Sequence, residues 1–150
     1  EPERTCVTEP EQAYLMTDMM KTVVERGTGQ SARLNGVQVA GKTGTTNNNI
    51  DAWFCGFTPE VEVVVWYGND DNTPMRKVEG GGRTAAPVFK KFMESYMKEY
   101  PLKQKTFIEP EGVFHTAYEG LIEVYTKISP VPKQDAQDTL IKQDDEGLIF

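Results

Sequence analysis

Histidine is nearly missing from this chain: His115 is the only one. A histidine general base needs an orienting partner, and the sequence displays none, so His115 is expected to be structural. Cysteine is scarce too, with Cys6 and Cys55 alone. Two thiolates without a histidine cluster do not make a zinc site. Cys55 falls inside an apolar run and is expected to be a small buried thiol. Spacing leaves open whether it is bridged to Cys6. Positive charge is in short supply: 16 Lys and Arg against 23 Asp and Glu give a formal net charge of −7. That balance speaks against nucleic acid as a partner, since phosphate binding needs clustered cations. No stretch approaches the run of about eighteen apolar residues that a membrane crossing needs, so no transmembrane segment is expected. The start, Glu1-Pro2-Glu3-Arg4-Thr5-Cys6, has no initiator methionine and no signal-peptide pattern. These absences predict a chain that begins within a longer protein.

What is present suffices for one domain with a real core, given 150 residues. The rest of the chain is arranged about Val37 to Thr46. This stretch follows a turn signal at Asn35-Gly36, alternates Val37 and Val39 with Gln38, and ends in Lys42-Thr43-Gly44-Thr45-Thr46. Such alternation predicts a half-buried strand. A period of two puts Thr43 and Thr45 on one side and Lys42 and Gly44 on the other. Glycine within a strand is favoured where a ligand or another backbone must come close. Two aligned hydroxyls and a fixed cation can hold a carboxylate, and the backbone N–H groups can face an oxyanion.

Before that strand, Thr8-Glu9-Pro10-Glu11 reads as a capping box opening a helix. Ala13, Met16, Met20, Val23 and Val24 predict its buried stripe, widened by Leu15 and Met19, with Gly27 as the stop. After the strand, Asn47 to Asn49 suit a loop with positive φ. Residues 52–57 and 61–67 predict two more strands, joined through Thr58-Pro59-Glu60 in antiparallel hairpins. Val63-Val64-Val65-Trp66-Tyr67 is apolar without alternation, which predicts a central strand covered on both faces. No fourth strand is evident before residue 100, so the missing neighbour is expected from another polypeptide segment. Leaving side chains such as Val63 and Trp66 uncovered would forfeit roughly 1.5–3 kcal/mol each.

Asp70-Asp71 is expected to be a solvated turn rather than a cation site. Gly80-Gly81-Gly82 lacks the Lys-Ser/Thr of a phosphate loop and reads as a flexible lead-in to a helix. Thr84 is expected to cap that helix, with Val88, Phe89, Phe92, Met93, Tyr96 and Tyr100 as its buried stripe and Pro101 ending it. Residues 107–113 and 120–128 predict short strands. Poor order is expected from Ser129 onward, where Pro, Gln, Asp and Lys dominate.

The Lys42 to Thr46 run, then Asp51-Ala52-Trp53 with Phe54 to Pro59, then Val64-Val65-Trp66-Tyr67-Gly68, together resemble the penicillin-binding proteins. The likeness is to the class A, bifunctional branch and covers residues 10–100 fairly continuously. Gly27-Thr28-Gly29 resembles that family's step ahead of the lysine strand, and residues 81–89 its closing helix. The resemblance implies an α+β fold: an antiparallel sheet packed against helices, as the C-terminal part of a penicillin-binding, serine β-lactamase-like transpeptidase domain. On this reading residues 1–100 belong to that domain and residues 101–150 form a partly disordered extension.

The family uses Ser-x-x-Lys, Ser-x-Asn and Lys-Thr-Gly in that chain order. Only the third is here. Ser95-Tyr96-Met97-Lys98 matches the first by spacing, but it follows Lys42-Thr43-Gly44 and sits late in the closing helix, so it is rejected. The resemblance thus implies a D,D-transpeptidase whose nucleophilic serine lies in a missing N-terminal part of the domain or in a second chain. It implies Lys42 and Thr45 in catalysis and Thr43, Gly44, Thr45 and Thr46 in substrate binding. Peptidoglycan stem peptides and β-lactams would be bound, with no cofactor and no metal, on the extracytoplasmic side of the membrane. The segment alone would be inactive. A β-lactamase-like hydrolase shares Lys-Thr-Gly, and a non-catalytic binding module that lacks the serine half is the other alternative.

Overall fold

The structure, a computed structural model, describes residues 3, 5–75 and 80–132. The chain runs α1 (Pro10–Glu25), β1 (Ala40–Thr45), β2 (Asp51–Phe57), β3 (Glu62–Gly68), α2 (Ala85–Glu99), β4 (Val113–Tyr118) and β5 (Leu121–Thr126). It divides into two units, residues 1–111 and residues 112–150. The first holds an antiparallel sheet in the order β1-β2-β3 with both helices, which is the expected α+β architecture.

The hairpins form where the turn chemistry allows. Leu34 and Val37 bridge around Gly36, whose φ of 71° is the left-handed region that glycine enters without strain. Asn48 and Asn49 take φ of 60° and 58° between β1 and β2, a conformation that asparagine tolerates. Thr58 closes the next turn, its hydroxyl accepting the Val61 N–H at 3.1 Å.

The core lies between the sheet and the helices. Phe54 and Phe89 are fully buried and meet edge to face with centroids 5.0 Å apart. Val24, Leu34, Val39, Ala85, Ala86 and Met93 close around them. On α2 the buried line is Ala85, Ala86, Phe89 and Met93. Val88, Phe92 and Tyr100, expected in that stripe, are exposed. The two small alanines let the first turn approach the sheet, which rotates Val88 and Phe92 outward. Phe92 instead stacks on Tyr96, and Tyr96 meets Tyr100 at a tilt.

A similar rotation corrects the reading of α1. Tyr14 and Val24 are its buried residues, whereas Met16 and Met19 are exposed. The buried line takes in Tyr14, a position passed over in a search for aliphatic periodicity. Lys21 supports it, paired with Asp18 at 3.1 Å and lying 5.9 Å from the Tyr14 ring centre. Burial, with the acceptor Glu109 and the charge of Asp18, raises the Tyr14 phenol to about 12. The capping box is also overturned. Glu9 is the N-cap, makes no side-chain cap bond, and Pro10 opens the helix; proline needs no N–H partner there. Thr84 occupies the N-cap of α2, but its hydroxyl donates to the Gly80 carbonyl at 3.0 Å instead of accepting from the helix.

The second neighbour that β3 is expected to take from another polypeptide segment is not supplied by the described residues. β3 pairs with β2 alone among the described residues and alternates in burial. The sheet face opposite the helices carries Lys42, Trp53, Cys55, Val64 and Trp66, aligned by the register. Val64 is 53% exposed, Trp66 44% and Trp53 39%. Cys55 is exposed with them, a correction that follows from β2 turning Ala52, Phe54 and Gly56 to the core. Cys6 and Cys55 are both free thiols.

Residues 101–107 return across the start of the lysine strand. The Gln38 N–H donates to the Lys105 carbonyl at 2.8 Å, and the Phe107 N–H to Gln38 Oε1 at 2.8 Å. The Gln104 N–H donates to Glu60 Oε1 at 2.6 Å, and Phe107 packs edge-on against Phe57. This use of Phe107 explains why the strand expected over 107–113 is absent: only Val113 enters β4. The described part of the second unit holds a hairpin of β4 and β5 turned by Glu119 and Gly120, both at positive φ. His115 stands on β4 opposite Val124. The expectation of poor order beyond Ser129 falls mostly outside the described residues.

Candidate active site

β1 is an edge of its sheet among the described residues. The Thr46 N–H donates to the Asp51 carbonyl at 3.0 Å, so residues 46 and 51 form a hydrogen-bonded antiparallel pair. Such pairs alternate along the ladder. Gly44 and Lys42 therefore turn their main-chain groups toward β2, while Thr43 and Thr45 turn theirs outward to the open edge. The side chains alternate as expected. Thr43 and Thr45 face an open recess of about 760 Å³ that Thr28 and residues 80–83 also line. Lys42 projects on the opposite face, and its Nζ donates to the Thr43 carbonyl at 2.8 Å. No ion pair to Lys42 occurs among the described residues. A Cβ on Gly44 would lie 3.3 Å from Trp53 Cβ, so any larger residue presses on that ring.

Thr46 stands apart from the recess. Its hydroxyl donates to Asp51 Oδ2 at 3.1 Å and accepts the Asp51 N–H at 2.8 Å. The other carboxylate oxygen of Asp51 accepts Trp66 Nε1–H at 2.8 Å. One aspartate thus ties the end of the lysine strand to β3, which gives the Asp51-Ala52-Trp53 run a physical purpose.

Two groups escaped the sequence reading. The Thr28 and Thr43 hydroxyl oxygens are 2.7 Å apart. The Gly81 N–H donates to Thr45 Oγ1 at 3.3 Å. Residues 80–82 are therefore not a flexible lead-in. They are packed on the strand, and a Cβ at Gly81 would run into the Trp53 carbonyl, one at Gly82 into the Thr28 carbonyl. Three consecutive glycines were the available signal, since such runs permit close backbone approach as well as mobility. Elsewhere, Asp70-Asp71 behaves as a turn. Asp71 accepts both the N–H and the hydroxyl of Thr73, and the backbone bond foremost lowers its carboxyl below the usual range. Ser95 and Lys98 lie on α2, both exposed. No cluster of three or more metal-ligating side chains occurs among the described residues, and no described helix is long and apolar enough to cross a membrane.

The sequence description of the penicillin binding protein transpeptidase domain matches residues 1–94. The chain belongs to this family. Within it, the similarity is to class A proteins. Penicillin-binding protein 1A of Pseudomonas aeruginosa is 39% identical over 102 residues, 67% of this chain and 12% of that protein. The namesake of Neisseria gonorrhoeae is 37% identical over 154 aligned positions, 94% of this chain and 18% of that protein. The chain therefore spans less than a fifth of the length of these relatives. Among solved structures, penicillin-binding protein 1A of Haemophilus influenzae shares the fold, with a TM-score of 0.65 over 86% of this chain and 22% of its own, at 22% identity. In this transpeptidase-family segment, Lys42-Thr43-Gly44 lies on a strand that pairs with β2 alone among the described residues.

Proposed function

We propose that this chain supplies the lysine strand of a peptidoglycan D,D-transpeptidase, completed by a serine-bearing segment outside this sequence. The supporting observation is the edge itself. Thr45 offers its N–H outward from an open strand, and the hydroxyls of Thr43 and Thr45 stand together in the adjoining recess. An extended stem peptide adds to that edge as a further strand. Its terminal carboxylate is held by the two hydroxyls. The serine Oγ attacks the carbonyl of the penultimate D-alanine, the peptide bond breaks, and the terminal D-alanine leaves with the proton. The amine of a second stem then attacks the ester, forms the cross-link and frees the serine.

In this scheme the Thr45 N–H and the serine's own N–H stabilise the oxyanion. Removing one such donor typically costs about 2.7–4 kcal/mol in the barrier. Lys42 leaves the Thr43 carbonyl as substrate arrives and places its positive charge beside the reacting groups. Gly44 keeps the strand flat against Trp53, and Thr46 fixes its end through Asp51. β-Lactams acylate the same serine as substrate mimics. The working site lies on the extracytoplasmic side of the membrane.

The uncovered sheet face and the open edge of β3 favour completion by further polypeptide. The test is labelling with a fluorescent penicillin. The purified chain alone stays unlabelled, and the complete domain labels stoichiometrically. Gly44→Val in the complete domain abolishes labelling while leaving expression near normal. Labelling of the isolated chain, or retained labelling of Gly44→Val, overturns the reading.

A further inference from the structure

We propose that Thr28 is a positioning residue for carboxylate recognition: it donates its hydroxyl proton to Thr43 and so holds the Thr43 hydroxyl polarised, with its own proton turned toward the ligand. The inference rests on the transpeptidase reading above and adds a residue to it.

A hydroxyl has one proton to give and two lone pairs to receive. Thr43 can greet an anion only if its own proton is not already committed. At 2.7 Å from Thr28 Oγ1, one of the two hydroxyls must donate to the other. With Thr43 as donor, the recess would show a carboxylate an oxygen lone pair. With Thr28 as donor, Thr43 is polarised and its proton points to the ligand. Thr45 already has the matching arrangement, because its oxygen accepts the Gly81 N–H at 3.3 Å and its proton remains available. The two supports come from different places, one ahead of the lysine strand and one after β3, and produce the same ordering.

Thr28 is also held firmly enough to serve. The Gly27 N–H donates to the Val23 carbonyl at 3.1 Å and the Gly29 N–H to the same carbonyl at 2.9 Å. Its own carbonyl is covered by Gly82, where no side chain fits. The hydroxyl is therefore placed by the end of α1 on one side and by the glycine run on the other. The ligand class this device selects is a carboxylate-terminated peptide or its β-lactam mimic, in preference to the same molecule with its carboxyl masked.

The experiment compares acylation of the complete domain by benzylpenicillin and by its methyl ester. Thr28→Val lowers the preference for the free acid by about fivefold to tenfold, the upper part of the range for losing a hydrogen bond between neutral groups. Thr28→Ala gives the same loss, which covers the event that valine disturbs packing. Thr28→Ser, which keeps the hydroxyl, holds the preference within about threefold. A purely structural role would slow both compounds alike and leave the preference intact; that result in both Thr28→Val and Thr28→Ala overturns the proposal. If the unaltered domain is acylated by neither compound, the transpeptidase reading itself falls, which is a different failure.

Discussion

The two faces of the three-stranded sheet are made by the same residues in alternation, yet only one is finished. Toward the helices, Phe54 meets Phe89, and Ala85 and Ala86 close the gap. Away from them, Trp53, Cys55, Val64 and Trp66 line up with no described residue across from them to bury them. Apolar side chains left in water forgo roughly 1.5–3 kcal/mol apiece. The contrast teaches that a strand's composition records every surface it meets in its working state, while a chain's own packing reveals only the surfaces it covers itself.

The comparison breaks most sharply at the finished face. Phe89→Ala should destabilise the chain by about 3–5 kcal/mol, the usual range for removing a buried aromatic. Urea unfolding followed by circular dichroism measures it, and a loss below about 1 kcal/mol would mean that the helix is not docked as described. Raising the pH should have a smaller effect on the same side. The Tyr14 phenol is raised from 10.0 to about 12, so folding holds its proton more tightly than the unfolded chain does. The stability this contributes is complete below pH 10 and is lost as pH climbs toward 12. Tyr14→Phe should flatten that decline, and an unchanged slope would contradict it.

On the unfinished face the expected costs shrink. Trp66→Ala should cost the isolated chain about 1 kcal/mol or less, mainly through the bond to Asp51. The same change should cost clearly more in the complete domain, and equal values would argue against any covering partner. Smallest is Cys55→Ser, expected to alter stability by no more than about 0.5 kcal/mol. Its native thiol sharpens the contrast instead: maleimide should reach Cys55 and Cys6 alike in the isolated chain, and Cys6 alone once the domain is complete.

Much of this was legible in the sequence because short-range rules fixed it. Gly36 and the asparagines marked their turns, the hairpins followed, and Lys42 to Thr45 alternated as a strand must. The family was readable from those same residues. What misled was helical rotation: Met16 and Phe92 are as apolar as any core residue, and only docking decides which way they turn. Residues 80–82 misled for a related reason, since sequence does not distinguish glycines that loosen a loop from glycines that let it lie flush on a strand. Thr28 and Thr43 are fifteen positions apart, and no periodicity joins them.

The return of residues 101–107 bears on where a worker could cut this region. A protein trimmed just after the closing helix would lack the acceptor for the Gln38 N–H, the donor to Glu60 and the ring that shields Phe57. The lysine strand would then begin from a loose end. A minimal excised piece should run at least to Phe107, so that the partners of Gln38, Glu60 and Phe57 travel with the strand.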